Sequence, residues 1–148
     1  MREPRGLKFD QLDEGAIFES QARTVTEADV VAFAALSGDY NPLHTDEEFA
    51  KGTPFKTRIA HGMLVQAMAT AMANWTGIFE GTTIALMEQT IRYKVPVLFG
   101  DTVHLQLEVI EKKRTSKDDR GVVIFTARVI NQKDEVVQEG EWTLMMRN

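Results

Sequence analysis

The chain has 148 residues, a length that suits one domain with a single sizeable core. Hydrophobic residues make up 43% and charged residues 26%, the balance of an ordinary soluble globular protein, and the net charge of −5 gives no indication of a nucleic-acid partner. There is no cysteine, which excludes disulfides, thiolate metal sites and a thiol nucleophile.

The longest weakly polar stretch, residues 61–75, is too short to span a bilayer, so we expect no membrane partner. The N-terminus lacks the apolar core of a signal peptide, and a cytoplasmic location is expected. His44, His61 and His104 match no zinc motif, and no glycine-rich phosphate loop is present. We therefore expect no metal, and chemistry done by side chains and backbone alone.

The first half of the chain carries mainly helical signals. Residues 17–23 are predicted to form a first strand with imperfect alternation. Residues 28–36 are predicted to form a short helix that Thr26 and Asp29 start as a capping box. A helical turn is expected near residues 46–51.

Residues 61–74 give the strongest helix prediction, with Gly77 closing the helix. Apolar residues surround its axis instead of forming one stripe, and a helix that is apolar on nearly all sides is buried. Its methionines are expected to fill the core, with Met63, near the helix start, the least certain of them. Trp75 and Trp142 are expected to be packing residues.

Strand signals dominate the second half, with four long candidates at residues 82–95, 102–113, 122–131 and 136–146. Alternation is clearest in residues 103–109, whose Val and Leu side chains fall on one face. The segments 112–121 and 131–135 are predicted hairpin connections. An antiparallel sheet with one apolar face and one buried helix predicts an α+β fold in which the sheet wraps the helix.

Between the two predicted helices, residues 37–44 place a carboxylate and an imidazole in a stretch that a helix is not expected to continue through. Gly38 stops the first helix, and Pro42 biases the residue before it away from helical angles. Asp39 and His44 should then project from an irregular loop, where they could deprotonate a bound water, as in a hydratase or dehydratase. Turn chemistry explains these residue types nearly as well, so the residues alone leave both interpretations open.

The same segment resembles the signature of the MaoC-like, (R)-specific enoyl-CoA hydratase family, which has the hot-dog fold. The likeness continues on both sides, at residues 24–29, 45–50, 55, 59–64, 95–97 and 100–101. It implies one hot-dog domain over residues 1–148, an antiparallel sheet wrapped around one long buried helix. It also implies a homodimer or a dimer of dimers with active sites near the interface.

The resemblance further implies reversible hydration of a trans-2-enoyl-CoA to an (R)-3-hydroxyacyl-CoA, with coenzyme A present only as part of the substrate and no separate cofactor. In the family the histidine that matches His44 does the chemistry, with Asp39 as its partner. The asparagine that matches Asn41 lies in the active site, where its amide can orient the pair. His61 is assigned a structural role in holding the loop.

Gly62 is the candidate oxyanion donor, because N–H groups in the first turn of a helix lack internal partners and carry the positive end of the dipole. Close packing of the helix start against a strand is the alternative explanation of this glycine. The candidate substrate contacts are Met63, beside Gly62, and Arg58 and Lys94 for the phosphates of coenzyme A. Each basic residue can equally be a solvated surface charge.

Two other functions stay open: a non-catalytic acyl-CoA-binding or regulatory subunit, and a dehydratase that acts on 3-hydroxyacyl groups carried by acyl carrier protein. The first is disfavoured because a binding module does not need both acid and base groups. Thioester hydrolysis on the same fold is disfavoured by the loop at residues 37–44.

Overall fold

The computed structural model describes residues 3–148. A short 3₁₀ helix (Phe9–Gln11) is followed by four α-helices, which are α1 (Glu27–Ser37), α2 (Pro42–Thr45), α3 (Glu47–Lys51) and α4 (Gly62–Trp75). The strands are β1 (Ile17–Glu19), β2 (Arg23–Thr24), β3 (Thr83–Gln89), β4 (Arg92–Tyr93), β5 (Thr102–Arg114), β6 (Arg120–Asn131) and β7 (Val136–Arg147). Within residues 3–148, no helix is both long enough and apolar enough to cross a membrane.

All seven strands belong to one antiparallel sheet with the main order β1-β5-β6-β7-β3. The short strands β2 and β4 pair with β5 and β7. Alternation on β5 is as predicted, since its inward-facing Val and Leu side chains are at most 1% exposed. This face supplies the apolar wall on which α4 packs.

Helix α4 and the inner face of the sheet form one hydrophobic core, so the α+β prediction is confirmed. Met68 and Met72 lie in this core, as expected. One face of α4 nevertheless stays exposed, and it includes Met63 and Ala67. The prediction that this helix is buried on nearly all sides is therefore wrong for that face.

Helix α1 begins and ends as predicted. The Thr26 hydroxyl accepts a bond from the Asp29 N–H, and the Asp29 carboxylate accepts one from the Thr26 N–H, which completes the capping box. Gly38 closes the helix in the left-handed region at φ 77°. Ser37 is the last helical residue, and its hydroxyl donates to the carbonyl of Phe33.

Two predicted strands are broken. The segment 17–23 separates into β1 and β2 at Ser20, whose hydroxyl accepts a bond from the Leu105 N–H. The segment 82–95 breaks between β3 and β4, where Thr90 passes over Gly140 of β7. A Cβ on Gly140 would lie 1.7 Å from the Thr90 carbonyl oxygen, so this approach requires glycine.

The predictions for the connections and the tryptophans depart from the structure in smaller ways. The turn at 131–135 lies where it was predicted, whereas the strands extend into the predicted connection 112–121 and leave only residues 115–119 outside them. Trp142 is buried, at 4% exposure, as a packing residue should be. Trp75 is 48% exposed, so the packing prediction is wrong for it.

Candidate active site

Asp39 lies in the connection between α1 and α2, and its carboxylate is exposed. Its Oδ1 accepts a bond from the Asn41 N–H at 3.2 Å, and its N–H donates to the Ser37 hydroxyl at 3.1 Å. The Asx-turn expected from turn chemistry is therefore present. It engages only one carboxylate oxygen, and Oδ2 has no partner among the residues that the structure describes.

His44 lies on α2, a single helical turn, so the prediction of an irregular loop is wrong at this residue. Pro42 occupies the first helical position, where its fixed φ favours a helix start, and the Asn41 side chain caps that start through the Leu43 N–H at 3.1 Å. Nδ1 of His44 lies 2.8 Å from the carbonyl oxygen of Ile59, and only a protonated Nδ1 can donate there. The neutral imidazole therefore carries its lone pair on Nε2.

His61 immediately precedes α4 and is 2% exposed. Its Nε2 donates to the backbone carbonyl of Asp39 at 2.9 Å, which ties the loop to the start of α4, the role expected of this residue. Its ring stacks on His44 with centroids 3.9 Å apart, and the Phe33 ring makes an edge-type contact with it at a centroid distance of 5.0 Å. The stacked His61 ring therefore restrains the His44 imidazole from the start of α4.

The side chains of Asp39, His44 and His61 bring three polar atoms within 4.8 Å of one another. A metal at this point would need Nε2 of His44 and Nδ1 of His61, because the other two nitrogens donate to carbonyl oxygens. The rings are stacked with their planes 29° apart, so these in-plane lone pairs do not converge as tetrahedral zinc requires. The arrangement suits proton transfer better than metal binding.

A cavity of about 520 Å³ opens beside this cluster. Asp39, His44, His61 and Gly62 line its polar end, and the rest of the wall is largely apolar, with Phe55, Ile59, Ala60, Met63, Val65, Tyr93, Val95, Pro96 and Val97. A polar end on an apolar cavity suits a ligand with one reactive polar group and an apolar chain.

Gly62 is the first residue of α4, and no hydrogen-bond acceptor for its N–H lies within the described part of the chain. The N–H is therefore available as an oxyanion donor. The packing explanation also has support, since a Cβ at this position would lie 2.4 Å from a ring carbon of Tyr93. The absence of a side chain thus allows both the approach of a ligand and the close contact with Tyr93.

The other candidates divide into those that line the cavity and those that do not. Met63 and Lys94 line it, and Lys94 also pairs with Glu139 at 3.4 Å. Asn41 does not line it: its side-chain oxygen caps α2, and its backbone N–H, instead of the expected amide, reaches Asp39.

Arg58 also lies outside the cavity wall. Its guanidinium pairs with Glu47 at 2.7 Å and with Glu27 at 2.8 Å, and stacks over the ring of Phe99. Hydrogen bonds from Arg58 and Thr57 lower the pKa of Glu47, and the two carboxylates raise the pKa of Arg58. These contacts give Arg58 a structural role that ties α1 to α3.

Two residues that contact Gly62 were not predicted from the sequence. Tyr93 covers Gly62, and its hydroxyl donates to the Met63 sulfur at 3.4 Å. Gln138 of β7 lines the cavity, and its Nε2 donates to the Gly62 carbonyl at 2.8 Å. The only sequence signal for Gln138 is an uncharged polar residue beside the apolar inward-facing positions of its strand.

Comparison with known proteins finds relatives that are similar in sequence over most of the chain. A 3-hydroxybutyryl-CoA dehydratase from Methylorubrum extorquens is 35% identical over 139 residues, covering 94% of this chain and 83% of that protein. An (R)-specific enoyl-CoA hydratase from Rhodospirillum rubrum is 36% identical over 138 residues, covering 93% of this chain and 90% of that protein.

Among solved structures, a protein described as a monoamine oxidase regulatory protein from Archaeoglobus fulgidus superposes with a TM-score of 0.89. It is 36% identical in sequence, and the match covers 97% of this chain and 95% of that one. The sheet wrapped around α4 is the hot-dog fold, as in structural neighbours of this chain. The family model described as MaoC like domain matches residues 11–132, and the chain therefore belongs to the MaoC-like family.

Proposed function

We propose that this protein catalyses the reversible hydration of a trans-2-enoyl-CoA to an (R)-3-hydroxyacyl-CoA. The observation that carries the proposal is that Asp39, His44 and Gly62 line one cavity, with polar side-chain atoms of Asp39 and His44 within 4.8 Å of each other. Both relatives described above are named for dehydration or hydration of a CoA thioester, which supports the same reaction class.

Asp39 and His44 supply the acid–base chemistry. An ionised carboxylate only accepts hydrogen bonds, and neutral His44 accepts at Nε2 because Nδ1 donates to Ile59. The pair can therefore hold both hydrogens of one water. As the water oxygen bonds to the β-carbon, one hydrogen passes to His44 as a proton, and the resulting imidazolium protonates the α-carbon. Dehydration reverses these steps.

The negative charge that develops on the thioester oxygen needs a donor at the same end of the cavity. Gly62 offers its N–H at the start of α4, a helix of 14 residues whose dipole is positive at this end. Because the residue has no Cβ, a thioester carbonyl can approach the N–H closely. The helix thereby stabilises the enolate-like transition state without moving.

The proposal includes a homodimer or a dimer of dimers. Strand β3 is an edge of the sheet, and nearly all of its residues are exposed, including Leu86 and Met87. Unpaired backbone groups and exposed apolar side chains on an edge strand favour pairing with a second copy. Met63 of α4 is also exposed and lines the cavity, so a partner that covered Met63 would lie close to the active site.

The direct test is hydration of crotonyl-CoA by the purified protein alone, followed as loss of the absorbance of the conjugated thioester. A dehydrogenase specific for (R)-3-hydroxyacyl-CoA should oxidise the product, and one specific for the (S) isomer should not. Binding of crotonyl-CoA without absorbance loss would instead indicate a non-catalytic subunit, and release of free thiol would indicate hydrolysis. Faster turnover of the same acyl group on acyl carrier protein would assign the substrate to that carrier.

A further inference from the structure

Gln138 is a buried polar residue with a direct contact to the start of α4. It lies on β7 opposite Tyr93 of β4, is 3% exposed, and lines the cavity. Its Nε2 donates to the carbonyl of Gly62 at 2.8 Å. The orientation of the amide is set by this contact, because turning Oε1 towards the Gly62 carbonyl would oppose two acceptors.

The other end of the same amide is unsatisfied. Oε1 of Gln138 is buried and has no hydrogen-bond partner in residues 3–148. An unpaired buried acceptor destabilises the folded state, whereas an apolar side chain of similar size would carry no such penalty. Folding stability alone therefore does not account for a glutamine at this position.

The Nε2 contact has a clear consequence for Gly62. A glycine has more backbone freedom than any other residue, so its N–H direction needs external restraint. Gln138 holds the Gly62 carbonyl from β7, and the Tyr93 ring covers the Gly62 Cα from β4. The paired strands thus restrain the residue from two sides.

We infer that Gln138 is a positioning residue for the oxyanion donor: its side chain holds the Gly62 carbonyl so that the Gly62 N–H stays aimed at the thioester oxygen. This inference rests on the proposed function and adds a residue to it. Gln138 itself takes no proton and forms no bond to the substrate.

The first experiment compares Gln138→Leu with Gln66→Leu. Gln66 is a matched control, since it is also buried, has an unpaired amide nitrogen, and lies on α4 outside the cavity wall. In Gln138→Leu we expect kcat for crotonyl-CoA hydration to fall by about 10- to 100-fold, as for other small misplacements of a reacting group, with little change in KM or melting temperature. Gln66→Leu should retain wild-type kcat per folded molecule.

The second experiment uses Gln138→Glu and does not depend on the stability of the leucine variant. A carboxyl group can donate to the Gly62 carbonyl only while it is protonated. Relative to the wild type, kcat of Gln138→Glu should fall as the pH rises through the pKa of that carboxyl. A residue that only filled space would leave the shape of the pH profile unchanged, and that result would overturn the inference.

A third readout separates this inference from the proposed function. Butyryl-CoA labelled with ¹³C at the thioester carbonyl cannot be hydrated, and an oxyanion donor should lower its infrared stretching frequency on binding. We expect the shift in the wild type and a smaller one in Gln138→Leu. If the wild type shows neither the shift nor hydration, the proposed function fails. If the wild type shows both and Gln138→Leu retains both, only the role of Gln138 fails.

Discussion

The imidazole of His61 donates to the backbone carbonyl of Asp39 across 2.9 Å, so the residue that immediately precedes the long helix holds the loop that carries the Asp39 carboxylate. The Asp39 side chain itself contributes only one bond, to the Asn41 N–H. The position of the loop therefore depends more on His61 than on the carboxylate. A loss of activity when the Asp39 side chain is changed can therefore be attributed to the chemistry and not to movement of the loop.

Asp39→Asn and His44→Ala should each remove most hydratase turnover and leave the fold intact. General acid–base groups contribute roughly 10²- to 10⁴-fold in rate, and neither side chain belongs to the hydrophobic core. The measurement is kcat for crotonyl-CoA together with thermal melting. The exposed Glu48→Gln serves as the control. Near-wild-type turnover at unchanged stability would show that the altered residue has another role, and loss of folding would favour the turn-forming explanation.

Lys94→Ala and Arg58→Ala should separate substrate binding from structure. Lys94 lines the cavity, so its loss should raise KM for CoA thioesters with kcat little changed. Arg58 joins Glu27 and Glu47, so its loss should lower the melting temperature and leave KM unaltered. Steady-state kinetics at low and high salt check the first effect, since salt screens an exposed charge contact. An increase in KM for Arg58→Ala alone would reverse the two assignments.

Asp29→Asn should destabilise the protein at neutral pH and have less effect in acid. Burial alone would raise the pKa of the Asp29 carboxyl, but hydrogen bonds from Thr26 and the charge of Arg23 outweigh it and lower the pKa below 3.8. As the pH falls, the unfolded chain takes up the proton first. The stabilisation is therefore complete above pH 3.8 and is lost as the pH falls through the folded-state pKa.

Urea unfolding of the wild type and of Asp29→Asn measures this effect across pH. We expect a difference in the free energy of unfolding of about 1 kcal/mol at pH 7, from the charge at the helix start. That difference should shrink below pH 3.8. A difference that stays constant with pH would mean that shape, not charge, is what Asp29 contributes.

Leu86→Lys should convert an oligomer into monomers of 16.7 kDa. The residue is 46% exposed on the edge strand β3, and a buried lysine would oppose pairing of this edge with a second copy. Sedimentation at micromolar concentration checks the mass. Ile17→Lys is the matched control, because Ile17 is also exposed but lies on β1 at the opposite edge. A monomeric wild type would contradict the proposed dimer.

Local patterns predicted the elements whose stability is local. The capping box of Thr26 and Asp29, the stop at Gly38 and the alternation on β5 each depend on residues close in sequence, and each was found as expected. Asn41 and Pro42 gave the right turn but concealed α2, because an Asn-Pro pair that starts a turn can also cap and start a helix.

The rest of the site depends on contacts that span the chain. Gln138 reaches Gly62 only because β7 passes under the start of α4, and Tyr93 covers Gly62 only because β4 pairs with β7. The sequence carries no local signal for this pairing. Arg58 and Lys94 were equivalent as basic residues, and only the fold shows that Lys94 lines the cavity whereas Arg58 pairs with two carboxylates outside it.

The last prediction separates the two explanations of Gly62. Gly62→Ala places a methyl group 2.4 Å from a ring carbon of Tyr93, so its effects alone would mix packing with chemistry. Tyr93→Ala removes the ring, and the double variant Gly62→Ala/Tyr93→Ala then carries the methyl group without that clash. All three variants should be compared by melting temperature and by kcat for crotonyl-CoA.

If the Gly62 N–H polarises the thioester, the methyl group still obstructs the carbonyl in the double variant. The kcat of the double variant should then stay about 10²-fold below that of Tyr93→Ala, which is the size of effect found when an oxyanion-hole contact is lost. The melting temperatures of the two variants should be equal. If Gly62 serves only to make room for Tyr93, the double variant should equal Tyr93→Ala in both measurements. That result would confine the role of the missing side chain to packing, because alanine keeps the backbone N–H and adds only the methyl group.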